Sequence, residues 1–392
     1  MGDGTKIEWT DATANVINGC SLASPGCTNC YAMRLAGTRL KDHPTRKGLT
    51  KPSKAGPVWT GDVRFHEPAL LQVLRWQTPR MIFWNAHGDM FHPNVPNEWI
   101  DRCFAVMALT PQHTHQVLTK RADRMRAYFA GDQLRWRIDG EMDAIIADRV
   151  DPLARRSNDL RARAPDLEET WPLPNVWLGV SVEDQARAKE RIPDLLATPA
   201  AVRWLSCEPL LGPIYLTDVS DDSTALDPEC WGDCACDSLY GFDAGCRRNG
   251  GDGNLTRKID WAVVGGESGP AARPMHPAWA RSLRDQCAEA GVPFLFKQWG
   301  EWAPICEMSE EAIDGAYHPA PVSRPDASRK CKVDQCVLHS DATRFDGRFM
   351  FERPAFEQGS GAMTMMAIGK RAAGRSLDGV QHDGYPKGQG HG

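Results

Sequence analysis

The chain has 392 residues and contains no apolar run long enough to cross a bilayer, which removes transmembrane helices from consideration. Its first residues, Met1-Gly2-Asp3-Gly4-Thr5-Lys6, lack the apolar centre of a secretory signal, so the expectation is a soluble cytoplasmic protein. There is no surplus of positive charge. With a net charge of −5, any attraction to nucleic acid needs a local basic patch. No strand-like run is followed by GxGxxG or GxxxxGK[ST], so dinucleotide and P-loop readings lack their fingerprints. The 13 cysteines are an odd number without an export signal, which argues against a disulfide framework and for reduced thiols and metal ligation.

One further absence is more telling than these. Cys20, Cys27 and Cys30 sit together in a loop rich in glycine and proline, and the loop holds no fourth cysteine. A structural zinc closes its shell with four ligands, whereas three protein ligands leave a position open for chemistry. An iron–sulfur cluster held by three cysteines likewise leaves one iron free for a substrate or cofactor. Half of a zinc site completed elsewhere, or three unrelated thiols, are the competing readings. The loop follows a short strand-like stretch, Thr13 to Ile17, and precedes a helical one beginning at Tyr31.

Six more short apolar runs follow, at 80–85, 115–120, 176–181, 202–207, 261–266 and 292–297, most of them succeeded by helical patterns. With the stretch before Cys20 this makes about seven strands. Such alternation implies a parallel sheet covered on both faces, either doubly wound or a (β/α) barrel. The barrel is favoured because polar residues recur at the carboxyl ends of the strands, where barrel active sites collect. The fold class is therefore α/β, a partial or nearly complete (β/α) barrel with Cys-rich and polar insertions. The expected division is a core over 1–302, interrupted at 131–172 and 218–258. A polar irregular extension over 303–372 and a disordered tail over 373–392 complete it. The insertion at 131–172 reads as helical.

A strand, a cysteine loop and a helix at the start of an α/β chain resemble the opening of radical S-adenosylmethionine (SAM) enzymes. Two details depart from their usual motif: six residues separate the first two cysteines here, and Asn29 stands where an aromatic is usual before the third. More of the chain carries a closer resemblance. The stretches are Ile7–Thr13, the cysteine loop through Ala32, Gly88–His92, Leu118–Arg121, Trp177–Glu183, Leu205–Leu210, Val264–Gly269 and Pro293–Gly300. With Ala14 where a tryptophan is usual, they resemble a phage-associated, uncharacterised family of three-Cys-motif proteins related to spore photoproduct lyase-like radical SAM proteins.

The resemblance implies a 4Fe-4S cluster on Cys20, Cys27 and Cys30 that binds SAM and cleaves it to a 5'-deoxyadenosyl radical. It also implies a reductant such as a flavodoxin or ferredoxin, and a host-cell cytoplasmic setting for a phage product. The first-choice substrate is a nucleobase in DNA or a nucleotide, in base modification or repair. Modification of a protein or peptide is the alternative, and a non-catalytic, metal-stabilised nucleic-acid-binding protein is the rival from another class.

Residues at the strand ends then acquire candidate roles. Asn85, Gly88 and Asp89 stand where the superfamily recognises SAM's amino group, with helix capping as the plainer role for Asp89. Ser181 and Glu183 are candidates for the ribose or for a helix start, and Tyr31 is a candidate cofactor contact. Cys207 is a candidate hydrogen-atom donor or a packed thiol. Glu267 is expected to meet substrate or cofactor, and Lys297, beside Gln298, to anchor a phosphate or carboxylate. A second group, Cys230, Cys234, Cys236 and Cys246, is expected to hold a structural zinc first, an auxiliary cluster second, or else to be free thiols, with Cys331 or Cys336 as a further donor. Lys120, Arg121, Arg124 and Arg126, with Arg155, Arg156, Arg161 and Arg163, are either solvated helix faces or a track for a phosphate backbone.

Overall fold

The computed structural model describes residues 4–5, 7–147, 157–219, 225–226, 258–319, 329–346 and 359–386. Five strands open the chain: β1 (Ala12–Ala14), β2 (Ile17–Asn18), β3 (Thr50–Ser53), β4 (Gly56–Trp59) and β5 (Arg64–Phe65). They are followed by β6 (Met81–Trp84), β7 (Thr114–Thr119), β8 (Val176–Ser181), β9 (Val202–Cys207), β10 (Trp261–Gly265) and β11 (Phe294–Gln298). One parallel sheet of seven strands runs in the order β1-β6-β7-β8-β9-β10-β11 and curls into a half-barrel. These are the seven strands read from the apolar runs. Among the described residues, helical connections return the chain between successive strands except from β9 to β10, whose link lies largely outside them, and such crossovers give parallel order.

The helices that do so are α1 (Tyr31–Gly37), α2 (Glu67–Val73), α3 (Asn97–Leu109), α4 (Ala122–Phe129), α5 (Leu134–Ala147), α6 (Ser157–Arg163), α7 (Gln185–Leu196) and α8 (Pro277–Glu289). In α3 the buried Ile100, Cys103, Phe104 and Met107 follow the i, i+3, i+4, i+7 rule of a core-facing stripe. Asp184 caps α7 by accepting from the Arg187 N–H at 2.8 Å. Helices α5 and α6 occupy the insertion read as helical.

Side-chain alternation divides each strand between two cores. Outward residues such as Ile82, Trp84, Leu178, Leu205 and Val264 join the large core shared with the helices. Inward residues Trp177, Trp204, Trp261, Phe83 and Leu295, with Trp9, form a separate aromatic cluster inside the curl. Trp204 packs against Trp9 at 5.1 Å and against Trp261 at 5.5 Å between ring centroids. Gly179 is what lets Trp204 lie there, since a Cβ at that position would stand 2.5 Å from its ring. Further along the same inward rows come Ser181, Ser206 and Lys297. The half-barrel is thus plugged by tryptophan near the amino ends of its strands and polar at the carboxyl ends.

Two sequence expectations change beyond Trp302. The extension read as irregular contains a four-stranded antiparallel sheet of Ala303–Pro304, Met363–Met366, Gln335–Leu338 and Arg344–Asp346. The tail read as disordered from Ala373 lies, through 386, against the open edge of β11. Phe296 N–H donates to His382 O at 2.9 Å, and Gly384 N–H to Phe294 O at 3.0 Å. Tyr385 stacks on Trp261 at 5.3 Å and reaches Glu8 O with its hydroxyl at 3.3 Å. The composition is polar and glycine-rich, but main-chain pairing with an exposed edge asks little of composition. Among the described residues no helix is long and apolar enough to cross a membrane.

Candidate active site

A cavity of about 910 Å³ opens at the carboxyl ends of the strands, and its wall includes Cys20, Cys27 and Cys30 together. The cysteine loop reaches this position by close backbone contact. Gly88, just past β6, pairs with Gly19 in a parallel bridge, and a Cβ on it would stand 2.4 Å from Ile17 O. Only glycine brings the two segments so near. Asn85, in the left-handed region at φ 57°, accepts the Val16 and Ile17 N–H groups on Oδ1 at 3.1 and 2.8 Å. Its Nδ2 is buried without a partner among the described residues.

Two carboxylates clamp the loop itself. Glu183 is fully buried and accepts from Gly26 N–H at 3.1 Å, Lys120 Nζ at 3.2 Å and Arg191 Nη1 at 3.1 Å. Burial pushes its pKa up, but Lys120, Ser24, Arg191 and the Gly26 N–H together hold it below the ordinary carboxylate value. Glu267 accepts from Asn29 Nδ2 at 2.9 Å and from Arg273 through N, Nε and Nη2 at 2.8, 2.9 and 2.6 Å. Arg273 also donates to Pro25 O at 3.0 Å. Glu183, read with Ser181 as a ribose contact, and Glu267, read as a substrate or cofactor contact, both hold the cysteine loop. Sequence reasoning missed Asn29, whose partner Glu267 is 238 residues away, and also Arg191 and Arg273, which lie 8 and 6 residues from their carboxylates but carry no motif that marks them.

Asp89 is equally engaged. Its carboxylate accepts from Phe91 N–H at 2.9 Å, Thr119 Oγ1 at 2.7 Å, Arg121 Nη1 at 2.7 Å and Lys120 N–H at 3.3 Å. With four donors it is saturated and works as an anchor. Arg121 also donates to Cys20 Sγ at 3.6 Å and to Ser21 Oγ at 2.9 Å, tying the first cysteine to β7. Burial, then the Asp89 carboxylate, push the Cys20 thiol up to about 12 against the pull of Arg121. Burial pushes Cys30 up as well.

Other predicted residues divide by the face of their strand. Ser181 lines the cavity and accepts from Lys120 Nζ at 3.0 Å. Lys297 also lines it, paired with Glu208 at 3.0 Å, and Gln298 lines it with a buried Oε1 that lacks a partner. Tyr31 lines it and donates to Ala86 O at 2.7 Å. Cys207 does not. Strand alternation turns it into the helix-side core with Cys287, fully buried, so it is a packed thiol and not a hydrogen-atom donor to this chamber. Burial pushes it well above the ordinary thiol value.

Lys120 and Arg121 stand at the cavity beside the cysteine loop, as a phosphate track requires, but both are ion-paired, to Glu183 and Asp89. Arg126 pairs with Asp194, and Arg161 with Asp139. Arg155, Arg156 and the group Cys230, Cys234, Cys236 and Cys246 lie outside the described residues. Cys336 is buried, and Cys331 donates to Ala316 O at 3.5 Å. Among the described residues, no three His, Cys, Asp or Glu side chains surround one point as the ligands of a single metal ion would.

The chain matches, over residues 4–386, the model of a family described as "Protein of unknown function (DUF5131)". No curated protein and no solved structure matches it.

Proposed function

We propose that this chain, which belongs to the family matched over residues 4–386, is a radical SAM enzyme whose 4Fe-4S cluster is held by Cys20, Cys27 and Cys30. The observation that carries the reading is the placement of three thiols, on one loop clamped by Glu183, Glu267 and Arg121, in the wall of one chamber at the carboxyl end of a parallel half-barrel. The donor set suits the group. In a cubane each cysteine takes its own iron, so three thiols need not crowd around one point, as the ligands of a zinc ion must. When bound, the cluster supplies an electron to SAM and releases a 5'-deoxyadenosyl radical.

The chain's own residues do the rest. Glu183 holds the loop at Gly26 and Glu267 holds it at Asn29, one residue before a cysteine in each case. Asn85 Nδ2 and Gln298 Oε1 are a donor and an acceptor still unpartnered at the chamber wall, and both are suited to orient a polar cofactor or substrate. The aromatic plug of Trp9, Trp177, Trp204 and Trp261 closes the floor and keeps water from a reactive carbon. The substrate of choice is a nucleobase in DNA or a nucleotide, with a flavodoxin or ferredoxin as reductant in a phage-infected cytoplasm. A base in duplex DNA must be flipped out of its stack to reach a chamber at the strand ends.

Anaerobic reconstitution with iron and sulfide, followed by reduction in the presence of SAM, tests this. The expected result is 5'-deoxyadenosine detected by chromatography, and its loss in Cys27→Ala together with most of the cluster absorbance. A cluster-loaded chain that leaves SAM intact points instead to a metal-stabilised binding protein.

A further inference from the structure

We infer that the part of the chamber wall built by His43, Thr45, Arg46, His66 and His87 is a binding site for the phosphate group of the substrate. This rests on the reading of the chamber as the substrate site and names the chemistry it would take. All five residues line the cavity. Arg46 is only 6% exposed, yet it has no carboxylate partner among the described residues, and its Nε is buried without any partner. A guanidinium withdrawn from water and left uncompensated is costly unless an anion joins it. The other lysines and arginines of the wall, Lys120, Arg121, Lys297 and Lys370, each have a carboxylate.

The charged group that acts on Arg46 is a second cation, Arg64, and not a carboxylate. Burial and the neighbouring Arg64 lower Arg46 to about 10. Arg64 itself donates to Pro44 O and Lys47 O at 2.6 and 3.0 Å, pinning the turn that presents Arg46. Burial lowers His66, assisted by Arg46 and His43. His87 is lowered by burial and by Arg46 to about 4. Arg46 Nη2 donates to His87 Nδ1 at 2.6 Å, and an arginine can only donate, so the neutral imidazole keeps its proton on Nε2 as a donor. Thr45 adds a hydroxyl 2.6 Å from Arg46 Nη1. That hydroxyl accepts from Arg46 and lies 2.8 Å from His43 Nδ1, so it fixes the guanidinium and the His43 ring in place. A planar guanidinium with an imidazole donor beside it matches the several oxygens of a phosphate.

The test is calorimetric titration of the full-length chain, before and after cluster reconstitution. The probes are inorganic phosphate, a deoxynucleoside 5'-monophosphate, the same nucleoside without phosphate, and a short single-stranded oligonucleotide. The monophosphate is expected to bind roughly 10- to 100-fold tighter than the nucleoside. Arg46→Gln should remove that difference, and Arg46→Lys should restore part of it. His66→Ala, at a less buried position, should shrink it in the same sense should Arg46→Gln fail to fold.

Tighter binding of the oligonucleotide than of the monophosphate assigns the phosphate to a nucleic-acid strand; the reverse assigns it to a free nucleotide. Equal affinity for nucleoside and monophosphate in the wild-type chain overturns the site, as does phosphate binding that survives in Arg46→Gln. The two readings fail separately. SAM cleavage without phosphate discrimination leaves the enzyme and removes this site, whereas phosphate discrimination without 5'-deoxyadenosine does the opposite.

Discussion

Glu183 shows how much a single buried carboxylate can determine. It joins β8 to the cysteine loop through Gly26 and to α7 through Arg191, which is 1% exposed beside it. Removing one member of such a pair strands the other charge in the interior, and the usual cost is about 3–5 kcal/mol. Glu183→Ala should therefore lower the melting temperature markedly and reduce the iron retained after reconstitution. Ser181→Ala removes one hydroxyl partner of Lys120 and should cost only about 0.5–1.5 kcal/mol in the same melt. Comparable losses from both variants would show that Glu183 does not carry the loop.

At the scale of elements, the segment after Ala373 behaves as a strap pinned at both ends. Asp378 is held by Arg281 and Arg284, while Tyr385 reaches Glu8 O near the start of the chain. The bonds from Arg281 and Arg284 hold the Asp378 carboxyl down at about 2, well below its ordinary 3.8. A depressed carboxylate contributes stability that is present above its unfolded value and lost as pH falls through its folded one. Asp378→Asn should melt below the wild type at neutral pH, and the gap should narrow below pH 3.8 and vanish near pH 2. Salt should narrow it too, since these groups are partly exposed. A gap that persists unchanged at the acid end would contradict the ion-pair account.

Across the whole molecule, an open sheet of seven parallel strands has to cover an edge and fill an interior. The strap covers β11, and truncation after Ala373 should leave that edge bare and promote self-association, measurable by light scattering against the full-length chain. The tryptophan plug fills the interior, and it depends on the missing Cβ of Gly179. Gly179→Ala would press a methyl into the Trp204 ring and should cost about 1–3 kcal/mol. An unchanged melting temperature in that variant would mean the plug can shift without penalty.

The seven apolar runs determined the strands, and their alternation with helical patterns determined parallel order, because each run could be satisfied only by burial on both faces. The three cysteines and their shared loop were legible for the same local reason. Which face Cys207 took was not, since alternation along β9 is set by how the sheet curls and not by the residue. The roles of Glu183, Glu267 and Asp89 also escaped the sequence. A carboxylate at a strand end is open to cofactor, cap or anchor until the tertiary structure brings Arg191, Arg273 or Arg121 to it. Arg46 is the converse case. The sequence sets it among Lys41, His43 and Lys47 like any surface cation, and only the fold buries it at the chamber wall without a carboxylate among the described residues.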